Sequence, residues 1–349
     1  MSDDENLWKW NKFVEIGNKI HKMRGVERTE VAQDALLFAK VLRRTEFLVS
    51  SKERYELYEC LLPKIAEYLD GNAELIQSTV EKYFLLEHCK AGNDEKDFDI
   101  SFSPKLTARV RDTNKSGVQT GFICTIFKFS GTQKTRYFIK TLQNGPTKDN
   151  IKSIKYPDTK EIFIYNLLHS LGMGPEVHFI IPFHGTKRTL YIATKEVAIK
   201  LLSHLTLETF DSKALIQLDL VSRILCLRDC TTNGSNCGQV ENKPMIIDFH
   251  IENQSNGYYK TDILDGFYLG NSEFNYLGLM KTATSLARDE KLEILKQSLK
   301  EWNLIQKIDR AKLEIDQLVR DSQDKMTFEN DLALYVENIK KTIESLAGK

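Results

Sequence analysis

Met245-Ile246-Ile247-Asp248-Phe249 is the stretch on which the reading of this chain turns. Three apolar residues, two of them β-branched, predict a short buried strand. A carboxylate follows directly, with an aromatic residue behind it. Burying a carboxylate is costly unless a partner compensates it, so Asp248 stands out as a candidate for chemistry. Working backwards, Gly234-Ser235-Asn236 supplies a loop with an amide oxygen. Asp229 lies just after an apolar helix predicted over Ala214 to Leu227. Asp and Asn favour turns, so each alone also fits ordinary loop chemistry.

Further upstream the pattern is strand, strand, strand, helix, strand, strand. Leu106 to Arg111, Phe122 to Phe129 and Thr135 to Leu142 are the first three, the last two joined by a hairpin loop at 130–134. Asp158 caps a helix that runs to about Leu168 and ends near Gly172 and Gly174. His178 to Pro182 and Thr189 to Val197 are the last two strands. After residue 212 the pattern is helical except for Met245 to Phe249. In the C-terminal part Leu295, Leu299 and Trp302 share one face, and Ile308, Ile315 and Leu318 another. A last helix opened by Thr327 carries Leu334, Ile339, Ile343 and Leu346. Residues 1–95 read as a helical module with stripes at Leu36, Leu37 and Val41, at Leu57, Leu61, Ile65 and Tyr68, and at Ile76, Val80, Tyr83 and Phe84. The polar, acidic run at 91–100 reads as a linker.

The bulk properties narrow the class. The chain has 349 residues, 41% of them hydrophobic, enough for a large packed core. Lysine plus arginine and aspartate plus glutamate number 49 each, so net charge gives no footprint for nucleic acid. No run of about 18 apolar residues predicts a membrane span, and Met1-Ser2-Asp3-Asp4 is unlike a secretory leader. The six cysteines are scattered and suggest reduced thiols in a cytoplasmic or nuclear protein. Cys226, Cys230 and Cys237 could hold zinc, but their spacing fits no familiar knuckle.

Phosphoryl transfer from ATP needs a loop over the phosphates, a cation on the α- and β-oxygens and a carboxylate to orient that cation. It also needs oxygen ligands for Mg²⁺ and a carboxylate for the attacking hydroxyl. The chain offers one candidate for each, in one order. Gly117 and Gly121 lie in Ser116-Gly117-Val118-Gln119-Thr120-Gly121. Lys140 lies near the end of the third strand and Glu161 on the next helix. Glu196 and Val197 end the fifth strand, where backbone groups could meet an adenine edge. Asp229, Asn236 and Asp248 follow.

On these residues the chain resembles the protein-kinase-like superfamily, including its small-molecule kinases of the aminoglycoside and choline type. Leu227-Arg228-Asp229 resembles the catalytic-loop triplet, and Ile246-Ile247-Asp248-Phe249 the metal-binding triplet region. The resemblance covers roughly residues 105–275. It implies an α+β fold of two lobes: an antiparallel β N-lobe at 101–197, a helical C-lobe at 198–349, and the helical module in front. It implies ATP and Mg²⁺ as cofactors. Lys140 would grip the phosphates, Glu161 would position it, Asp229 would act as base, and Asn236 and Asp248 would hold the metal. The acceptor would carry a hydroxyl.

The chain departs from the family pattern at three points. Gly234 stands where the family places its metal-binding asparagine, so Asn236 serves only if the loop is two residues longer; Asn233 is the other choice. The phosphate loop has two glycines rather than three. His250 follows Asp-Phe in place of glycine, and no Ala-Pro-Glu closes an activation segment. The alternative expectation is a pseudokinase, with or without nucleotide binding, that meets a protein partner through its N- or C-terminal helices.

Overall fold

The computed structural model describes residues 73–94, 97–104, 121–129, 134–142, 157–182, 190–204, 211–227, 230, 233–251, 267, 287–329 and 331–347. The two earliest helical stripes, the proposed strand at 106–111, Gly117 and Asp229 lie outside them. The described part is α+β, with antiparallel strand pairing and several helices. It divides into two compact units. The first comprises residues 1–157, 178–193 and 322–329; the second comprises 158–177, 194–321 and 330–349.

In the first unit, α1 (Ala73–Lys90) precedes β1 (Phe98–Pro104), β2 (Gly121–Lys128) and β3 (Lys134–Leu142). With β4 (Val177–Ile180) and β5 (Leu190–Lys195) these strands form one sheet in the order β1-β2-β3-β5-β4. β1 corrects the linker expected over 91–100. Phe98, Ile100 and the residue pattern between them alternate half-buried with exposed Asp99 and Ser101, and the whole strand pairs with β2, from Phe98 opposite Lys128 to Pro104 opposite Phe122. That alternation is what a strand with one covered face requires. On the covered face, Cys124 and Ile126 of β2 lie beside Tyr137 and Ile139 of β3, all buried. α1 lies on this side through Phe84, whose ring is 4.6 Å from Tyr137 and 5.3 Å from His178. The His88 ring stacks on Phe98 at 4.1 Å. Burial, with Lys128 and His178 close by, holds the His88 imidazole below its ordinary value.

In the second unit, α2 (Thr159–Leu171) is bounded as its sequence predicts. The Asp158 carboxylate accepts the Lys160 amide at 2.9 Å. Gly172, at φ 70°, ends the helix in a left-handed turn, with Met173 N–H donating to Leu168 C=O at 2.9 Å. The chain then doubles back so tightly that a Cβ on Gly174 would meet the Leu168 Cβ at 2.8 Å. α3 (Ser212–Ile224) is buried at every position from Ala214 to Ile224. It stops short of the expected Leu227 because Cys226 takes a left-handed φ of 53°, with Leu227 N–H donating to Ser222 C=O at 2.8 Å. No glycine marks that stop.

β6 (Lys200–Leu201), β7 (Cys237–Val240) and β8 (Lys243–Ile246) form a three-stranded antiparallel sheet, adding two strands to the one predicted near Met245. Gly238 permits the close approach of β6 to β7, since a Cβ there would sit 2.0 Å from the Lys200 carbonyl oxygen. At the other edge, Ile246 N–H donates to Met173 C=O at 2.8 Å.

The C-terminal helices are α4 (Arg288–Trp302), α5 (Leu304–Ser322) and α6 (Leu332–Ala347). Ile339, Ile343 and Leu346 are buried as expected, but α6 begins five residues after Thr327 and Leu334 is 62% exposed. Leu332, Tyr335 and Val336 take its place on the inner face. Asn166 of α2 donates to Glu314 of α5 at 2.7 Å, and the Tyr335 hydroxyl of α6 donates to Leu225 C=O at 2.7 Å. Among the described residues no helix is long and apolar enough to cross a membrane.

Candidate functional site

The best-defined part of the candidate site lies in the second unit, at the open end of the β7–β8 hairpin. Val240 and Lys243 pair across a two-residue turn, and Cys237 pairs with Ile246 at the other end. Hairpin pairing brings residues that flank its two strands together, whatever lies in the turn. Here those flanking residues are Asn236 and the Ile247–Asp248 pair. Ile247 and Asp248 both donate their amides to the Asn236 carbonyl, at 2.8 and 3.2 Å. Asn236 and Asp248, twelve positions apart in sequence, are thus neighbours in space.

The loop before the hairpin is held by its own polar groups. Asn236 N–H donates to Asn233 C=O at 3.0 Å, and Ser235 N–H to the Asn233 side chain at 3.1 Å. The Asn233 amide donates to Asn236 Oδ1 at 3.3 Å. Of the two asparagines weighed from sequence, Asn236 adjoins Asp248 directly, and Asn233 supports it. Cys230 Sγ donates to the Asp248 carbonyl at 3.5 Å, and Cys237 Sγ to the Cys230 carbonyl at 3.3 Å. Burial pushes the Cys237 thiol up to about 12, so it stays protonated and can donate. Cys226 Sγ donates to Arg223 C=O. All three thiols are therefore occupied as donors to backbone. Among the described residues no group of three or more His, Cys, Asp or Glu could hold a metal, so the zinc expectation for these cysteines gains nothing.

The burial expected for Asp248 at the end of a Met245–Phe249 strand is not found: β8 stops at Ile246 and Asp248 is exposed, whereas Phe249 behind it is buried. Its Oδ1 accepts the Phe249 amide at 3.2 Å and the Tyr165 hydroxyl at 3.4 Å. Tyr165 comes from α2, one turn beyond Glu161, and its ring lies 4.4 Å from that of Phe249. Glu161 is half-buried. Sequence reading passed over Tyr165 because an aromatic residue in an apolar helix reads as core; only its hydroxyl could have signalled otherwise. The donor set at Asn236 and Asp248 is hard oxygen. It suits Mg²⁺, which takes one or two protein carboxylates and completes its shell with phosphates and water. Soft metals, which seek thiolate or imidazole, are poorly matched by it.

The remaining candidates are distributed. Lys140 belongs to the first unit, where it pairs across the ladder with Gly121. Its side chain is half-buried and, by the period of two, lies on the sheet face opposite Tyr137 and Ile139. Glu196 and Val197 follow β5; Glu196 is exposed, and the Val197 carbonyl accepts the Ile199 amide at 2.8 Å. Asp229 lies outside the described residues, but its described neighbours are anchored. Leu227 bridges to Ile251, and Cys230 bonds the Asp248 carbonyl.

Comparison of the chain with protein-family models, with curated proteins and with solved structures found no match.

Proposed function

We propose that this chain is an ATP- and Mg²⁺-dependent phosphotransferase acting on a hydroxyl-bearing acceptor. One observation carries the reading: the hairpin that joins Asn236 to Asp248 at its open end. Two hard oxygen donors on adjacent, backbone-fixed positions are what a nucleotide-bound Mg²⁺ needs from a protein. Further support comes from the chain order, in which α2 follows β3 and precedes β4, and from Lys140 pairing with Gly121 between β3 and β2. In this reading the two-lobed kinase-like fold supplies the framework. Asn236 and Asp248 would hold the metal, Lys140 would bind phosphate oxygens, Glu161 would orient Lys140, and Asp229 would accept the proton of the attacking hydroxyl. Bound Mg²⁺ would neutralise charge on the transferring phosphoryl group.

The test begins with thermal stability in ATP, with and without Mg²⁺, followed by ATP turnover. The expected result is Mg²⁺-dependent stabilisation in the native chain and its loss in Asp248→Asn. Asp229→Asn should keep the stabilisation but lower turnover by roughly 10²–10⁴-fold, the usual worth of a positioned base. Stabilisation without turnover in the native protein would instead favour a nucleotide-binding interaction module. No response to nucleotide at all would refute the phosphotransferase and leave an interaction module without nucleotide binding.

A further inference from the structure

Tyr165 is 2% exposed, yet it carries a hydroxyl where phenylalanine would fill the same apolar space. A buried phenol needs a hydrogen-bond partner, or it loses what water gave it. The partner here is the Asp248 carboxylate, at 3.4 Å. The same ring packs at 4.4 Å and 44° on Phe249, the next residue along. One side chain thus holds both residues of the Asp-Phe pair.

We infer that Tyr165 is a positioning residue that sets the orientation of the Asp248 carboxylate for metal binding. Asp248 sits in a segment without regular structure and its side chain is exposed. Left to itself, an exposed aspartate samples several rotamers. Two donors converge on one oxygen, the Phe249 amide from behind and the Tyr165 hydroxyl from the side. Together they restrict χ1 and χ2 before any cation arrives, which lowers the ordering cost of binding. The donor is itself well anchored. α2 is capped at both ends, and Ile162, Phe163, Ile164, Leu167 and Leu168 around Tyr165 are all buried. The inference rests on the metal role proposed for Asp248. It adds that the helix carrying Glu161 also governs the carboxylate, through a residue one turn on.

Tyr165→Phe keeps the ring and removes only the hydroxyl. The expected result is an unchanged melting temperature without ligand, and a half-saturating Mg²⁺ concentration for ATP-dependent stabilisation raised roughly three- to tenfold, the scale of one modest hydrogen bond. A Mg²⁺ response in the native protein that Tyr165→Phe leaves untouched overturns the positioning role while sparing the phosphotransferase reading. Absence of any Mg²⁺-dependent response in the native protein removes the phosphotransferase reading and this inference with it.

Discussion

Helix α1 of the first unit and helix α3 of the second are packed in different ways. α1 is half in water. Its Val80 and Phe84 are buried, Phe84 against Tyr137 of β3, while Glu81, Lys82 and Leu86 stay exposed. Its contacts are largely aromatic, and imperfect fit can be absorbed by sliding rings. α3 has no outer face between Ala214 and Ile224, although it carries Gln217, Asp219, Ser222 and Arg223. Three of these polar groups find partners inside, while the buried Ser222 hydroxyl has none among the described residues. Gln217 donates to Ser298 of α4 at 2.9 Å, and Arg223 to Asp219 one turn back at 3.1 Å. Lys291 of α4 is buried close to the same pair. The first helix is held by area, the second by complementarity. The second arrangement has less tolerance for the loss of one partner.

The sharpest way to break this comparison is to remove Asp219. Asp219→Ala leaves the Arg223 and Lys291 cations buried without the carboxylate that faces both. It should cost about 3–5 kcal/mol, as breaking a buried ion pair from one side does, read from urea melts. Replacing Asp219, Arg223 and Lys291 together by apolar residues of similar size should restore most of that loss. If Asp219→Ala costs no more than a surface substitution, α3 is held by apolar area just as α1 is. On the other side, Phe84→Ala should cost about 3 kcal/mol, at the low end for a buried aromatic because half-buried His178 can close on the space. A much larger loss would mean that α1 is no more forgiving than α3.

The smallest effect concerns pH. Burial, opposed by Asp219 and reinforced by Arg223, lowers the Lys291 ammonium from its ordinary 10.5. Between that lowered value and 10.5 the unfolded chain holds the extra proton, so stability should rise with pH across the window. Lys291→Met should flatten the rise, and an equally steep rise in the variant would assign it to another group.

Where the sequence spoke through local chemistry, the structure agrees. Asp158 and Gly172 bound α2, and both act through contacts within four residues of themselves. The hairpin of β2 and β3 announced itself by two β-branched runs around a polar turn. β1 was missed because its alternation follows an acidic stretch that reads as linker; the alternation was there, and pairing with β2 along its whole length completes the strand. β7 was missed because Cys-Gly-Gln-Val has no strand propensity beyond its last residue, and pairing on both sides supplies the rest. The stop of α3 at Cys226 could not be foreseen, since a cysteine in the left-handed region costs roughly 1–2 kcal/mol that only the surrounding packing offsets. Of the candidate site, Asn236 was matched with Asp248 through the spacing of the family pattern, whereas the β7–β8 pairing that brings them together was not foreseen. The hydroxyl of Tyr165 was not, because nothing local distinguishes it from a core ring.

The bond from Ile246 to Met173 has a consequence for life at high concentration. β8 is the outer strand of its sheet, and outer strands with bare amides recruit strands from other molecules. Ile246 spends its outward amide on Met173. Pro244, two residues earlier and facing the same way, has no amide to offer. The edge that leads to Asp248 therefore offers no free outward amide at either Pro244 or Ile246, which removes the donors that a foreign strand would need there.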